Sequence, residues 1–255
     1  VIPVLMYHSI HARPPAGTAD LAVHPEAFAD QMALLAERGF TPVPFSALDT
    51  PARKPIVITF DDGYADFHDH ALPVLAGRGF PATVFVTTGW LADAGADAAG
   101  RPLDRMLSWG QVREAAASGI EIGGHSHSHP QLDQLRDAAL REELTRSKGL
   151  LEDRLGREVA TLAYPYGYSS ARVRRAARRA GYTAACAVAN ALAGARRDPL
   201  AVPRLTVRAT TSPETFARVV EGRSVTRTYL RDRMLTKGYA VVRRSRYAAG
   251  RVTSR

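Results

Sequence analysis

Two adjacent carboxylates, Asp61 and Asp62, follow the apolar run Ile56-Val57-Ile58 in the string Thr59-Phe60-Asp61-Asp62-Gly63. A strand end that buries two carboxylates needs compensation from a metal ion or a basic partner. The alternative is a turn, or the cap of the helix that follows, a common job for Asp. A second cluster, Gly123-Gly124-His125-Ser126-His127-Ser128-His129-Pro130, places three of the eight histidines within five residues, again after a strand-like run. In a helical turn, His125 and His129 at i, i+4 would share one face and could share one cation, while His127 pointed elsewhere. Gly123 and Gly124 permit close backbone approach. A core or surface role accounts for one histidine more easily than for three at this spacing. The two clusters together make a two-histidine, one-aspartate donor set with a carboxylate to spare. Three protein ligands with open positions suit a catalytic cation better than a structural one. The spare Asp could then serve as a base for water activated by the cation.

The elements that must position these groups are legible as an alternation. Strand patterns occur at Pro3–Tyr7, Ile56–Phe60, Ala82–Thr87, Ile120–Gly123, Thr161–Tyr164, Tyr182–Val188 and Val202–Val207. Continuous apolar runs such as these suit strands buried on both faces, as in a parallel sheet. Helical patterns lie between them: Phe28, Met32 and Leu35 mark one, Leu140, Leu144, Leu151 and Leu155 another that Gly156 should end, and others fall near 66–78, 110–118, 170–180 and 213–222. The expected class is therefore α/β, with about seven parallel strands in a distorted or incomplete (β/α) barrel, whose C-terminal strand ends carry the chemistry. The 255 residues contain 45% hydrophobic residues, ordinary for a chain with a large core and against wholesale disorder. A single cysteine, Cys186, excludes an intramolecular disulfide framework and any CxxC zinc site.

The net charge of +9 is local. Residues 223–255 hold ten basic groups against one acid, Asp232, while residues 1–222 balance. The division expected is a catalytic domain at 1–222 and a basic C-terminal extension at 223–255. Such a tail can dock on an anionic polymer, a membrane surface or nucleic acid, but a solvated extension is the favoured expectation. Nucleic acid is not expected, because the tail lacks an aromatic platform beyond Tyr229, Tyr239 and Tyr247.

Together with Ala163-Tyr164-Pro165-Tyr166-Gly167 and the flanking text PVLMYHSI and LSWGQVREAAASGIEIGGHSHSHPQL, these motifs resemble the polysaccharide deacetylase family, also called the NodB-homology domain or carbohydrate esterase family four. The resemblance runs over residues 2–210. It implies the barrel already expected, with Asp61 as catalytic base, Asp62, His125 and His129 as metal ligands, and Tyr166 as donor of a backbone N–H to the oxyanion. It also implies Leu205 as an apolar wall for the acetyl methyl. Two departures stand out: Ala163 replaces the family's Arg beside the catalytic Asp, and no histidine follows His129 to act as late general acid. The sequence is similar to a subgroup with Tyr-His at its first strand and Pro-Arg at its last. His8 is thus the expected acid and Arg204 the expected partner of Asp61, weighed against a core role for His8 and a surface ion pair for Arg204. Trp109 is weighed as a sugar-stacking wall against a packing role.

The expected activity is metal-dependent N-deacetylation of an N-acetylhexosamine polysaccharide or oligosaccharide. Zinc is the default, and Co, Ni or Fe fit the same donors. The alternatives are a same-fold amidohydrolase acting on a small amide or cyclic ureide, and a non-catalytic glycan-binding module. A monomer is expected, and an anionic-surface contact through the tail is left open. An extracellular or cell-envelope location is favoured, with the cytoplasm left open.

Overall fold

A computed structural model describes residues 1–252. The central sheet is a curled parallel array of β1 (Val4–Tyr7), β2 (Pro55–Phe60), β3 (Thr83–Val86), β4 (Glu121–Gly124), β5 (Thr161–Ala163), β6 (Ala184–Cys186) and β7 (Leu205–Thr206). Their spatial order is β7-β1-β2-β3-β4-β5-β6, and a short piece, Thr41–Pro42, adds to the start of β2. β7 sits beside β1 with Leu5 opposite Leu205, and just before it Val202 bridges Cys186 of β6. The chain from Val202 to Thr206 therefore spans the seam between the sheet's two ends, giving the distorted barrel that the alternation implied.

Helices α1 (Pro25–Glu37), α2 (Leu72–Gly77), α3 (Trp109–Ala117), α4 (Asp137–Leu155), α5 (Ala171–Arg179) and α6 (Pro213–Val220) supply the layer around the sheet. Phe28, Met32 and Leu35 are wholly buried on α1, and Leu140, Leu144 and Leu151 on α4, as their 3.6-residue spacing requires. Ser108 and Gln111 form a reciprocal cap that starts α3. Gly156 closes α4 in the left-handed conformation, φ 65°. The segment expected as one helix over 66–78 is instead a π-helical turn, Phe67–Ala71, leading into α2, whose first turn holds Pro73.

Strand alternation decides what enters the barrel mouth. Tyr7, Phe60 and Leu205 join the large apolar cluster between sheet and helices. Their neighbours on the other face, the pairs Met6 and His8, Thr59 and Asp61, and Arg204 and Thr206, face inward. Glycine is needed on both faces of β4. A Cβ at Gly123 would lie 2.5 Å from the Phe85 ring, and one at Gly124 would lie 2.5 Å from the Tyr182 hydroxyl.

The basic extension departs from expectation. It continues from α6 through a short helical turn into α7, Leu230–Val252, and this helix packs on the body. Arg243 is buried, with its Nε 2.8 Å from Asp133 and its guanidinium 3.1 Å above the Tyr168 ring. A simple solvated tail is thus excluded for the described part; residues 253–255 lie outside it.

Candidate active site

Asp61 and Asp62 leave the end of β2 in opposite senses. Asp61 keeps the strand's pairing, its N–H donating to the Tyr7 carbonyl at 3.0 Å. Asp62 turns into the left-handed region, φ 72°, which throws its carboxylate toward the loop after β4. That loop is not the helical turn inferred from the histidine spacing. It is irregular, with left-handed residues at Ser126 (φ 63°) and His129 (φ 62°), and these reversals bring His129 back beside His125. Glu143 of α4 holds it: one carboxylate oxygen accepts from the His127 and Ser128 N–H groups at 2.9 and 2.8 Å, and the other from Ser128 Oγ at 2.5 Å. His127 turns away to Thr88, 2.9 Å from its Nδ1.

The result is a compact donor set. Asp62 Oδ1 lies 3.2 Å from Nε2 of His125 and 3.2 Å from Nε2 of His129. Tetrahedral bonds of about 2.0–2.1 Å would set neighbouring donor atoms about 3.3 Å apart, so the spacing fits one small cation. His125 Nδ1 lies 2.8 Å from the Ala163 carbonyl, which as an acceptor fixes the tautomer and leaves Nε2 with its lone pair toward the cluster. Asp62 Oδ1 is buried without a hydrogen-bond partner among the described residues, as an oxygen reserved for a cation would be. Burial alone would lower the His125 pKa, but the Asp61 and Asp62 carboxylates outweigh it and raise the value. The cluster's excess of negative charge thus draws in positive charge, and the residues present fit a divalent metal.

Asp61 has a different partner. Arg204, fully buried, grips it through two parallel bonds, Nη1 to Oδ1 at 2.6 Å and Nη2 to Oδ2 at 2.7 Å. Arg204 Nη1 also donates to Thr59 Oγ1 at 3.1 Å, and that hydroxyl donates to the Leu5 carbonyl at 2.7 Å. Burial by itself would raise the Asp61 pKa, and the Arg204 guanidinium overrides it and holds the carboxyl below its ordinary value. His8 approaches from β1, with Nε2 4.0 Å from Asp61 Oδ2. Desolvation lowers the His8 pKa despite the nearby carboxylates.

A cavity of about 240 Å³ opens over these groups, lined by His8, Asp61, Asp62, His125, His129 and Tyr166, and walled by Met6, Leu21, Leu103, Val188, Thr206 and Arg208. Tyr166 stands at its rim, half exposed and left-handed at φ 59°, with its ring 4.8 Å from that of His129. The bonds of its turn are donated by Gly167 and Tyr168, to the Tyr164 and Pro165 carbonyls, which leaves the Tyr166 N–H outside them.

Two residues singled out in the sequence lie elsewhere. Trp109 is buried at the start of α3, its backbone N–H donating to Asp93 at 2.8 Å and Arg154 lying 5.5 Å over its ring; it packs the core and does not wall the cleft. Leu205 is fully buried on the helix-facing side of β7, because alternation gives the cavity face to Arg204 and Thr206. The apolar lining comes from Met6, Leu21, Leu103 and Val188 instead. Trp90, 4.7 Å from the His129 ring, and Glu143 are site-building residues the sequence reading missed. Trp90 follows a strand end, a signal that could have flagged it; Glu143 sits mid-helix with no local signal.

A parallel barrel with a fixed carboxylate beside three convergent metal-type donors at its C-terminal rim has the makeup of a hydrolase. The sequence model for polysaccharide deacetylases matches residues 49–185, more than half of the chain, and the chain belongs to that family. It is 29% identical over 229 residues to the Bacillus subtilis protein YxkH, itself assigned to the polysaccharide deacetylases, covering 86% of this chain and 76% of that one. A 124-residue stretch is 32% identical to the poly-beta-1,6-N-acetyl-D-glucosamine N-deacetylase of Escherichia coli K12, spanning 43% of this chain but only 18% of the relative. Among solved structures, the Streptococcus pyogenes deacetylase PplD, in complex with acetate, superimposes with a TM-score of 0.74 at 29% identity, covering 84% of this chain and 95% of that one.

Proposed function

We propose that this chain removes acetyl groups from N-acetylhexosamine units of a polysaccharide or oligosaccharide, using a divalent metal. The observation that carries the reading is the pairing of roles at one strand end: Asp62 turned into a three-donor cluster, and Asp61 beside it held as an ionised base by Arg204. The similarity to a poly-N-acetylglucosamine deacetylase supports the substrate class.

Asp62, His125 and His129 would hold the cation, zinc in the first instance with Co, Ni or Fe suited to the same donors, which when bound would supply Lewis acidity toward the acetyl carbonyl and water. Asp61 accepts the proton of the attacking water, and Arg204 keeps it ionised and aimed. The Tyr166 N–H donates to the oxygen that becomes anionic as the carbonyl carbon turns tetrahedral. Breaking the C–N bond then requires a proton on nitrogen. His8, with Nε2 4.0 Å from Asp61 Oδ2, is placed to take that proton from Asp61 and pass it to the departing amine. The products are acetate and a free amino sugar. Met6, Leu21, Leu103 and Val188 supply the apolar surface for the acetyl methyl. We assign the catalytic unit to residues 1–222, acting as a monomer at or outside the cell envelope, where such polymers lie.

Acetate release across chitin oligomers, poly-N-acetylglucosamine, peptidoglycan, acetylated xylan and small acyl amides tests the assignment. Release from an N-acetylated glycan supports it. Release confined to the small amides would transfer the chain to the amidohydrolases, and release from xylan alone would make it an O-esterase.

A further inference from the structure

Helix α7 is fixed to the body along one stripe. The Tyr229 hydroxyl, at its entry, donates to the Thr206 carbonyl at 2.8 Å, Asp232 lies 3.4 Å from Arg208, and Arg243 pairs with Asp133. Tyr247 lies under Arg172, 4.5 Å from ring to guanidinium. At about 100° per residue these contacts fall on one side of the helix. Four large apolar side chains of the helix are nonetheless exposed, where a surface helix is normally polar: Leu230 is 53% exposed, Met234 67%, Leu235 50% and Tyr239 57%. Four of the seven exposed large apolar residues in the described chain thus lie on this one helix. Arg231 and Arg246 of the helix are exposed as well, as is Arg227 in the turn before it.

Exposed apolar side chains interleaved with exposed arginines along one helix match a lipid interface, with the apolar groups at the acyl boundary and the guanidiniums among phosphates. No described helix is long and apolar enough to cross a membrane, so the helix would lie along the surface. A second copy of the chain is a poor occupant, because it would set ten basic groups and one acid against the same excess. A soluble polyanion would use the arginines and leave the apolar residues without a role. We propose that α7 is a membrane-surface anchor that recognises anionic phospholipid. Its entry braces Thr206 and Arg208, both of which line the cavity.

Co-sedimentation of the intact chain with vesicles of phosphatidylglycerol and phosphatidylcholine, against vesicles of phosphatidylcholine alone, tests this. The anionic vesicles should bind the chain about tenfold better, and added salt should weaken the binding. The double variant Met234→Glu, Leu235→Glu should lose about tenfold in binding, while its thermal midpoint and its hydrolysis of a soluble substrate stay unchanged, since both side chains are exposed and neither lines the cavity. A second variant, Arg231→Ala with Arg246→Ala, should lose the preference for anionic lipid. Equal binding to both vesicle types would overturn the proposal. So would salt-sensitive binding that survives the Met234 and Leu235 changes, an outcome that would assign the helix to a soluble polyanion.

Discussion

Replacing Arg204 with methionine leaves Asp61 as a buried carboxylate without its cation. The native pair is bidentate at 2.6 and 2.7 Å, with the Arg fully buried and the Asp 3% exposed. Removing one partner from such a pair typically costs about 3–5 kcal/mol. The double variant Arg204→Met, Asp61→Asn should recover most of that loss, because replacing both charges is often nearly neutral. The same change acts on titration. Asp61 is held low by Arg204 against a burial effect that points upward, so its pKa should rise in the variant. The sign for stability follows. In the native chain the depressed Asp61 contributes stability above the unfolded carboxyl value of about 3.9, lost as pH falls through the depressed folded value. In the variant a raised Asp61 destabilises above about 3.9, so the difference between the two proteins should be large at neutral pH and shrink in acid. Urea melts from pH 3 to 8 and the acid limb of kcat/KM measure the two effects. A variant as stable as the native chain at pH 7, or an acid limb that does not move, would refute the reasoning.

Asp61→Asn should retain full metal and lose about 10²-fold or more in kcat, whereas Asp62→Asn should lose metal itself; equal loss of metal in both would mean the two roles are exchanged. His8→Ala should keep its metal, lower kcat and remove one limb of the pH–rate profile, and an unchanged profile would move the proton relay to another group. Glu143→Ala leaves two backbone N–H groups of the histidine loop without their acceptor, so metal affinity should fall about 10-fold, as for other supporting groups around metal ligands; calorimetric titration with zinc checks this.

The donor set was legible because each part directly follows a strand, and a parallel barrel gathers strand ends at one rim. The route by which the histidines converge was not legible: i, i+4 spacing suggested a helical turn, but positive φ at Ser126 and His129 does the folding. Arg204 reaching Asp61 followed from noting what Ala163 lacks. Leu205 went astray where simple alternation would have corrected it, since a strand that points Arg204 inward must point Leu205 outward. Trp109 could not be placed by composition, because an aromatic at a helix start packs the core as readily as it lines a cleft. The tail showed only its charge; the pairing of Arg243 with Asp133 links residues 110 apart, and no local pattern encodes it.

The central claim is that Asp62, His125 and His129 hold the metal with which Asp61 works on an N-acetylated glycan. Its most direct measurement follows acetate and free amine together from a chitin or poly-N-acetylglucosamine oligomer, with the chain first stripped by chelator and then given zinc in stoichiometric steps. The account predicts no release from the stripped chain, recovery that saturates at one metal per chain, equal yields of acetate and amine, and no recovery in His125→Ala. Full activity in the stripped chain, or recovery by zinc in His125→Ala equal to that of the native chain, would contradict it.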